Sequence, residues 1–407
     1  MSKILFLIRA APDIDHLVPV VDKICSTTEH EVKLVGIDPL YKYCSDERIT
    51  FLRKAHNIQL HSFFSDIPVF YGLQKKILSL MECTFINKLS VFAKLQGRLI
   101  IIIQNWGSKK DIHIFLNNFN PDLLICDHNW SSIVKRFVDF TKKVESLSIS
   151  LPHSAENWTN KLRITTFLSF SGKGVGEIRK PLFDYVVFPN EHDPSFPLVA
   201  EKKVILGSAR FSKSWVLKKE TLFGSSEYKF PRQTKNTKIL FLYPKKQNNI
   251  FWEELLRSIE IMISYDFSIV FKLPVRGRHL LPKKYKSCEK VELSDDPTGV
   301  LVDWADVVFY IDTTVIFEAM IKDKTVVHLK HLHINTCSTD NLRGICRTYT
   351  RDDLVELLEK FEKDPSYRSY NSSDTAKILK EVVYPNETVE PLEDYMRFIN
   401  ELFLKIS

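Results

Sequence analysis

Lys3-Ile-Leu-Phe-Leu-Ile8 and Lys238-Ile-Leu-Phe-Leu-Tyr243 are near copies of one another, and reading them decides the fold. A strand with one wet face alternates apolar and polar residues, so an unbroken apolar run describes a strand buried on both faces of a parallel sheet. After the first run, a polar loop (Arg9 to Asp15) leads to a helical pattern over His16–Ile24 and a second apolar stretch at Glu31–Ile37. That is a β-α-β unit with short connections. After the second run, the pattern predicts a helix over Phe251–Ser264 and a strand at Ser268–Lys272. The same grammar is therefore used twice.

Working outward, strands are predicted at Asn57–Leu60, Asp122–Asp127, Val144–Leu151, Tyr185–Pro189 and Lys203–Gly207, and later at Val307–Ile311 and Thr325–Leu329, with a helix between at Thr314–Ile321. Residues 73–118 read as mainly helical, 191–197 with two prolines as a hinge, and 224–237 as a polar excursion. Two terminal helical patterns follow, Asp374–Val383 and Pro391–Leu404. The expected fold class is α/β, two Rossmann-like domains over 1–188 and 189–373, with residues 374–407 crossing back onto the first domain.

The 407 residues, 44% of them hydrophobic, suffice for two large cores and exclude a disordered chain. The formal net charge of +7 suits an anionic ligand or an anionic membrane surface. Its lysines and arginines are scattered and form no basic arm with interleaved aromatics, so no nucleic-acid partner is expected. Seven widely spaced cysteines without a C-x-x-C pair read as reduced thiols, with no metal centre and no cofactor expected. The short run Ile4–Ile8 ends at Arg9 without a cleavage pattern, and Leu99–Ile103 is far below membrane-spanning length. The expected location is cytoplasmic, with peripheral attachment to an inner membrane as the variant.

Ligands of open parallel sheets bind beyond the carboxyl ends of the strands. That rule selects Arg9–His16, Asp127–Asn129, His153–Asn157, Lys272–His279 and Asp312–Glu318. In the first half, Glu156 is the expected general base, with His153 and Asp127 to orient it or tune its proton affinity; capping by Ser154 and first-turn charge at Glu156 is the bland alternative. In the second half, Lys272 and Arg276 offer charge-assisted bonds to phosphate. Thr313 and Thr314 stand where a helix N-terminus would meet a pyrophosphate, and Glu318, one turn on, suits a ribose diol.

Four features together, the tandem halves, Leu206-Gly-Ser-Ala-Arg210-Phe, Lys272-x-x-x-Arg276-Gly and Asp312-Thr-Thr-x-x-x-Glu318, resemble GT-B enzymes of bacterial surface-polysaccharide synthesis. The nearest in kind are Kdo transferases that use a CMP-activated sugar and CDP-glycerol glycerophosphotransferases. The resemblance implies a nucleotide-sugar donor held in the second domain by Lys272, Arg276, Thr313, Thr314, Glu318 and Arg210. It implies a glycan or lipid-linked acceptor in the first domain, near His153 and Glu156, in capsule or lipopolysaccharide synthesis. Related sequences often read K-P-H-x-R-G, whereas this loop reads Lys272-Leu-Pro274-Val-Arg276-Gly and lacks the imidazole. Glycerophosphate transfer, sugar-nucleotide epimerisation and a non-catalytic glycan-binding role on the same fold remain the alternatives.

Overall fold

A computed structural model describes residues 1–9, 11–38, 41–62, 108–127, 132–152, 182–193, 196–199, 201–223, 237–245, 250–274, 281–286, 288, 290–386 and 390–406. Most of the helical reading of 73–118, nearly all of the excursion 224–237, and His153, Glu156 and Arg276 lie outside these residues. The first sheet contains β1 (Lys3–Ile8), β2 (Glu31–Gly36), β3 (Gln59–Ser62), β4 (Leu123–Asp127), β5 (Leu147–Leu151), β6 (Tyr185–Phe188) and β7 (Lys203–Ile205), in the order β3-β2-β1-β4-β5-β6-β7. The second contains β8 (Lys238–Leu242), β9 (Ser268–Lys272), β10 (Val291–Ser294), β11 (Val307–Tyr310), β12 (Thr325–His328) and β13 (Cys346–Arg347), in the order β10-β9-β8-β11-β12-β13. Every pairing is parallel. Both units are Rossmann-like, and in each the strand order reverses beside the first strand, at β1/β4 and at β8/β11.

The unbroken apolar runs now have their explanation. Ile4, Phe6 and Ile8 of β1 enter a core beneath α1 (Ala11–Thr27), while Leu5 and Leu7 enter another against α3 (Ser108–Phe119) and α4 (Ser132–Thr141). In β8, Ile239 and Phe241 face one core and Leu240 and Leu242 the other. Alternate side chains of one strand thus serve opposite layers, and both layers are apolar.

The first sheet reaches further along the chain than expected, because β7 pairs with β6 in register Val187 to Val204. Residues 191–197 therefore connect two strands of one sheet and are no hinge between units. That role falls to the segment after β7, which forms a 3₁₀ turn at Ala209–Phe211 and a helix α5 at Lys213–Phe223. (α2 is Glu47–His56.) Trp215 of α5 is buried in the first unit's core, while Phe211 is buried in the second's, edge-on to Phe317 at 5.6 Å between ring centres. The second unit is completed by α6 (Trp252–Ser264), α7 (Lys283–Lys286), α8 (Thr298–Trp304), α9 (Val315–Ile321), α10 (Arg351–Lys363) and α11 (Ser372–Val382).

The last helix, α12 (Pro391–Ile406), returns to the first unit, where Leu392, Tyr395, Met396, Ile399 and Leu402 share a core with α1. The crossover is stitched at one place. Ser208 donates its amide to the Val383 carbonyl (3.2 Å), Tyr395 its hydroxyl to Gly207 (3.1 Å), Tyr384 its hydroxyl to Phe211 (2.8 Å) and Asn190 its amide to Val382 (2.7 Å). Gly207 has φ +79°, and a Cβ there would stand 2.7 Å from the Val383 carbonyl oxygen. Left-handed strain and a backbone collision combine, so Gly207→Ala is expected to cost about 2 kcal/mol or more in unfolding free energy. Urea unfolding of the variant measures this; unchanged stability would mean the crossover does not depend on the close approach.

Candidate active site

The reversal point of the first sheet brings two carboxyl groups together. Asp127 is the last residue of β4, and Asp13 lies in the first turn of α1, just after β1; each is 1% exposed. Asp13 Oδ2 accepts the Arg9 amide at 2.9 Å, and the Arg9 guanidinium lies 3.6 Å from Oδ1. Oδ1 has no donor from any N–H or O–H of the ordinary ionised protein, and the neighbour it faces is the Asp127 carboxyl. Two carboxylates in contact cannot both stay charged in a buried site. Burial first, and the Asp127 charge second, raise the Asp13 pKa from 3.8 to about 7, with Arg9 opposing. The pair therefore keeps one proton up to about neutral pH. Beside them, burial and both carboxylates push the Cys126 thiol well up, so it is no nucleophile.

Two residues beyond Asp13, the charge balance is reversed. Asp15 lies 2.5 Å from Arg48 of α2 and 3.8 Å from Arg210 of the 3₁₀ turn. Burial pushes its carboxyl up, but Arg210, Arg48, His16 and Lys219 together pull it well below the usual range. The first turn of α1 thus presents a proton-holding carboxyl and a firmly ionised one, and the latter faces the segment between the units.

The second unit's reversal point carries the other sequence candidates. After β11, Thr313 Oγ1 accepts the Val315 amide at 3.2 Å, and Thr314 occupies the cap position of α9 without a side-chain capping bond. Lys272 ends β9 with its side chain largely buried. Burial lowers its ammonium pKa, opposed by Asp295 and Asp296. Glu318, on α9, is 2% exposed and lies 2.7 Å from Lys219 of α5 and 3.8 Å from Lys322. Burial pushes its carboxyl up, yet Lys219, Arg210 and Lys322 outweigh that and keep it ionised. Arg210 therefore belongs to the boundary between units, within the field of both Asp15 and Glu318, and not to a strand end of the second sheet.

Of the expected catalytic group, only Asp127 lies among the described residues, and its neighbour there is Asp13. Asp13 was hidden in the sequence because only the run Arg9–His16 stood out; the visible signal was an acidic residue a few positions after each strand flanking the reversal point. Lys219 gave no signal, since one lysine in the pair Lys218-Lys219 reads as a solvated helix face.

One further cluster joins metal-ligand residue types: ligand atoms of His328, Cys337 and Asp340 lie within 4.8 Å of one another. Hydrogen bonds reach only part of these groups, since His328 Nδ1 and Asp340 Oδ1 are buried without a hydrogen-bond partner. The Asn335 amide donates to His333 Nδ1 (3.1 Å), which leaves the His333 proton on Nε2, aimed at His328 Nε2 2.8 Å away. Asp340 Oδ2 accepts from Lys330 (2.7 Å) and from the Cys337 amide (2.9 Å). Burial lowers the His333 pKa to about 4 and holds the His328 pKa well below its usual value, so both imidazoles are neutral.

No family model matches the chain, and no curated protein does either. Solved structures do match along the full length. UDP-GlcNAc 2-epimerase from Neisseria meningitidis bound to UDP-GlcNAc has a TM-score of 0.60 at 14% identity, over 99% of this chain and 100% of that one. The S. aureus MnaA–UDP co-structure scores 0.54 at 14% identity, covering 100% and 98%. The kitacinnamycin glycosyltransferase scores 0.56 at 12% identity, covering 98% and 99%. At such identities the likeness establishes the fold alone: the chain has the GT-B-type fold of two Rossmann-like domains. Among the described residues no helix is long and apolar enough to cross a membrane.

Folding raises the Asp13 pKa, so the folded chain binds this proton more tightly than the unfolded one does. The resulting stabilisation is present below 3.8 and is lost as pH rises through about 7. Asp13→Asn removes the buried negative charge and keeps an acceptor for the Arg9 amide. Its melting temperature relative to the parent is expected to rise between about pH 4 and pH 7 and to level off above that, by an order of a few degrees per kcal/mol. A difference that stays flat across that range would show that the pair holds no proton.

Proposed function

We propose that the protein is an enzyme acting on a nucleotide-activated sugar, held between the ligand ends of its two sheets. The observation that carries this reading is the Asp13–Asp127 pair at the reversal point of the first sheet. It is a group with proton affinity near neutrality where the fold puts ligands. Lys272, Thr313, Thr314 and Glu318, at the corresponding place in the second sheet, take the nucleotide. Glycosyl transfer is the leading reaction: the singly charged pair supplies the base that deprotonates an acceptor hydroxyl, with Asp127 as base and Asp13 as the partner that sets its proton affinity. Glu156 and His153 are further candidates for that step, and Arg276 for phosphate. Transfer of Kdo from CMP-Kdo, or of glycerol phosphate from CDP-glycerol, is the finer form suggested by the sequence motifs.

Epimerisation of the sugar nucleotide is the second reading. It is favoured because one pair holds both a proton and a base, and because the Neisseria meningitidis UDP-GlcNAc 2-epimerase and the S. aureus MnaA–UDP complex share this fold. Proton return to the opposite face of the sugar then needs a second acid, which the described residues do not identify.

Incubation with UDP-, GDP-, CDP- and CMP-sugars in deuterated water, with and without oligosaccharide acceptors, separates the readings. Transfer gives acceptor-dependent nucleotide release and no deuterium in the recovered donor, whereas epimerisation labels the donor without acceptor. Asp127→Asn is expected to lower turnover by about 10²- to 10⁴-fold while nucleotide still raises the melting temperature. Normal turnover in that variant would remove the pair from the mechanism. Thermal stabilisation by nucleotide without any turnover would mark a non-catalytic relative.

A further inference from the structure

Between β12 and β13 the chain runs from Leu329 to Ile345 with one short 3₁₀ turn, at Lys330–Leu332. His328, the last residue of β12, stands at one end of this stretch. Cys337 and Asp340 belong to a turn within it, closed where the Asp340 amide donates to the Cys337 carbonyl at 3.1 Å. A ligand atom from each of the three lies within 4.8 Å of the other two. Some point therefore lies within about 2.8 Å of all three, against zinc bonds of roughly 2.0–2.3 Å, so the turn grips an ion by closing about half an ångström.

The hydrogen bonds of the cluster leave ligand positions open. His328 is 0% exposed; its Nε2 faces His333 at 2.8 Å, whereas Nδ1 has no partner in hydrogen-bond geometry. The Ile311 backbone favours the ring's proton, but less than burial and the nearby cations oppose it. Asp340 Oδ1 is likewise buried and unpartnered, although Oδ2 accepts from Lys330 and from the Cys337 amide. Buried polar atoms without partners are costly, and two of them converging beside a thiol mark a place for a ligand. The two nearest cations are already engaged, Lys330 by Asp340 and the Asn335 carbonyl, Arg347 by the carbonyls of Thr339 and Leu342. Asp312 and Asp340 offset them at the Cys337 sulfur, so no surplus positive charge repels a further cation. The Asp340 side chain, 24% exposed, gives the way in from solvent.

We propose that His328, Cys337 and Asp340 form a binding site for a zinc-like divalent cation that pins the loop 329–345 to the end of β12. An imidazole nitrogen, a thiolate and a carboxylate suit borderline-soft ions such as Zn²⁺ and Co²⁺, and not Mg²⁺ or Ca²⁺, which take oxygen ligands. The exchange balances in charge. The ion displaces the Cys337 thiol proton and the proton on His328 Nδ1, so two positive charges enter the buried site as two leave it. His333 already donates to His328 Nε2, and that bond orients the ring and supports its electron density at the metal. Water completes a four-coordinate shell. The sequence expectation of no metal centre rested on paired-cysteine spacing, which does not reach a set drawn from one His, one Cys and one Asp. The site is independent of the nucleotide reading.

The test strips the full-length protein with a chelator and titrates it with Co²⁺, whose bond to a thiolate gives a charge-transfer absorption. The parent is expected to show that band, Zn²⁺ to abolish it by displacement, and excess Mg²⁺ to leave it in place. Cys337→Ser should remove the band, and Asp340→Asn should weaken binding. His333→Phe, which takes away only the supporting N–H, should cost about 10- to 100-fold in affinity. Cys44→Ser, at an exposed thiol of the first unit, should change nothing. If Cys337→Ser does not fold, the parent decides: Zn²⁺ is expected to raise its melting temperature and to slow alkylation of Cys337 relative to Cys346, a buried thiol outside the cluster. A parent without the band, a band that survives Cys337→Ser, undiminished binding in Asp340→Asn, or Zn²⁺ that fails to protect Cys337 overturns the proposal.

Discussion

A parallel strand has no local partner for its backbone, so its hydrogen bonds are completed by neighbours delivered through crossover helices, and both its faces end up covered. The rest of this molecule follows from that constraint. Every strand in each sheet runs the same way, so all the carboxyl ends lie on one edge, and the loops that leave them are gathered there whatever their distance in sequence. Where the strand order reverses, the departing helices diverge to opposite faces and leave a gap. Asp13 and Asp127, more than a hundred positions apart, meet because β1 and β4 flank that gap.

Burial then acts in two senses on the carboxylates brought together. It raises the proton affinity of Asp13, Asp15 and Glu318 alike, and what separates their fates is the count of nearby cations. Asp13 has a carboxylate for a neighbour and only Arg9 against it, and so holds a proton. Asp15, a third exposed, and Glu318, buried, each face at least three cationic groups and remain charged. One pair is suited to moving protons and the other two groups to permanent charge, although all four are the same functional group.

The strands buried on both faces were legible because period and composition report burial directly: the limits read for β1, β4, β8 and β9 fall within a residue or so of those found. Elements with mixed patterns were not. Val291-Glu-Leu-Ser294, buried at its ends and partly buried between, was not read as a strand, α8 is only seven residues long, and α5 sends Trp215 into the first unit's core. Lys203–Ile205 was recognised as a strand but credited to the second unit, since a hinge was read from two prolines that lie inside a connection of the first sheet. Asp127 was visible as a polar stop after a buried strand, and Glu318 as a carboxylate one turn into a helix.

The sequence by itself determined that there are two doubly wound units, where their central strands lie, and which loops leave the ligand edges. Those are consequences of local apolar periodicity. It did not determine which charges act on which. Proton sharing between Asp13 and Asp127, the capture of Asp15 by Arg48 and Arg210, and the hold of Lys219 on Glu318 are set by distances of a few ångströms between segments remote in the chain. Electrostatic energies depend on those distances and on burial, and neither is written in the order of residues.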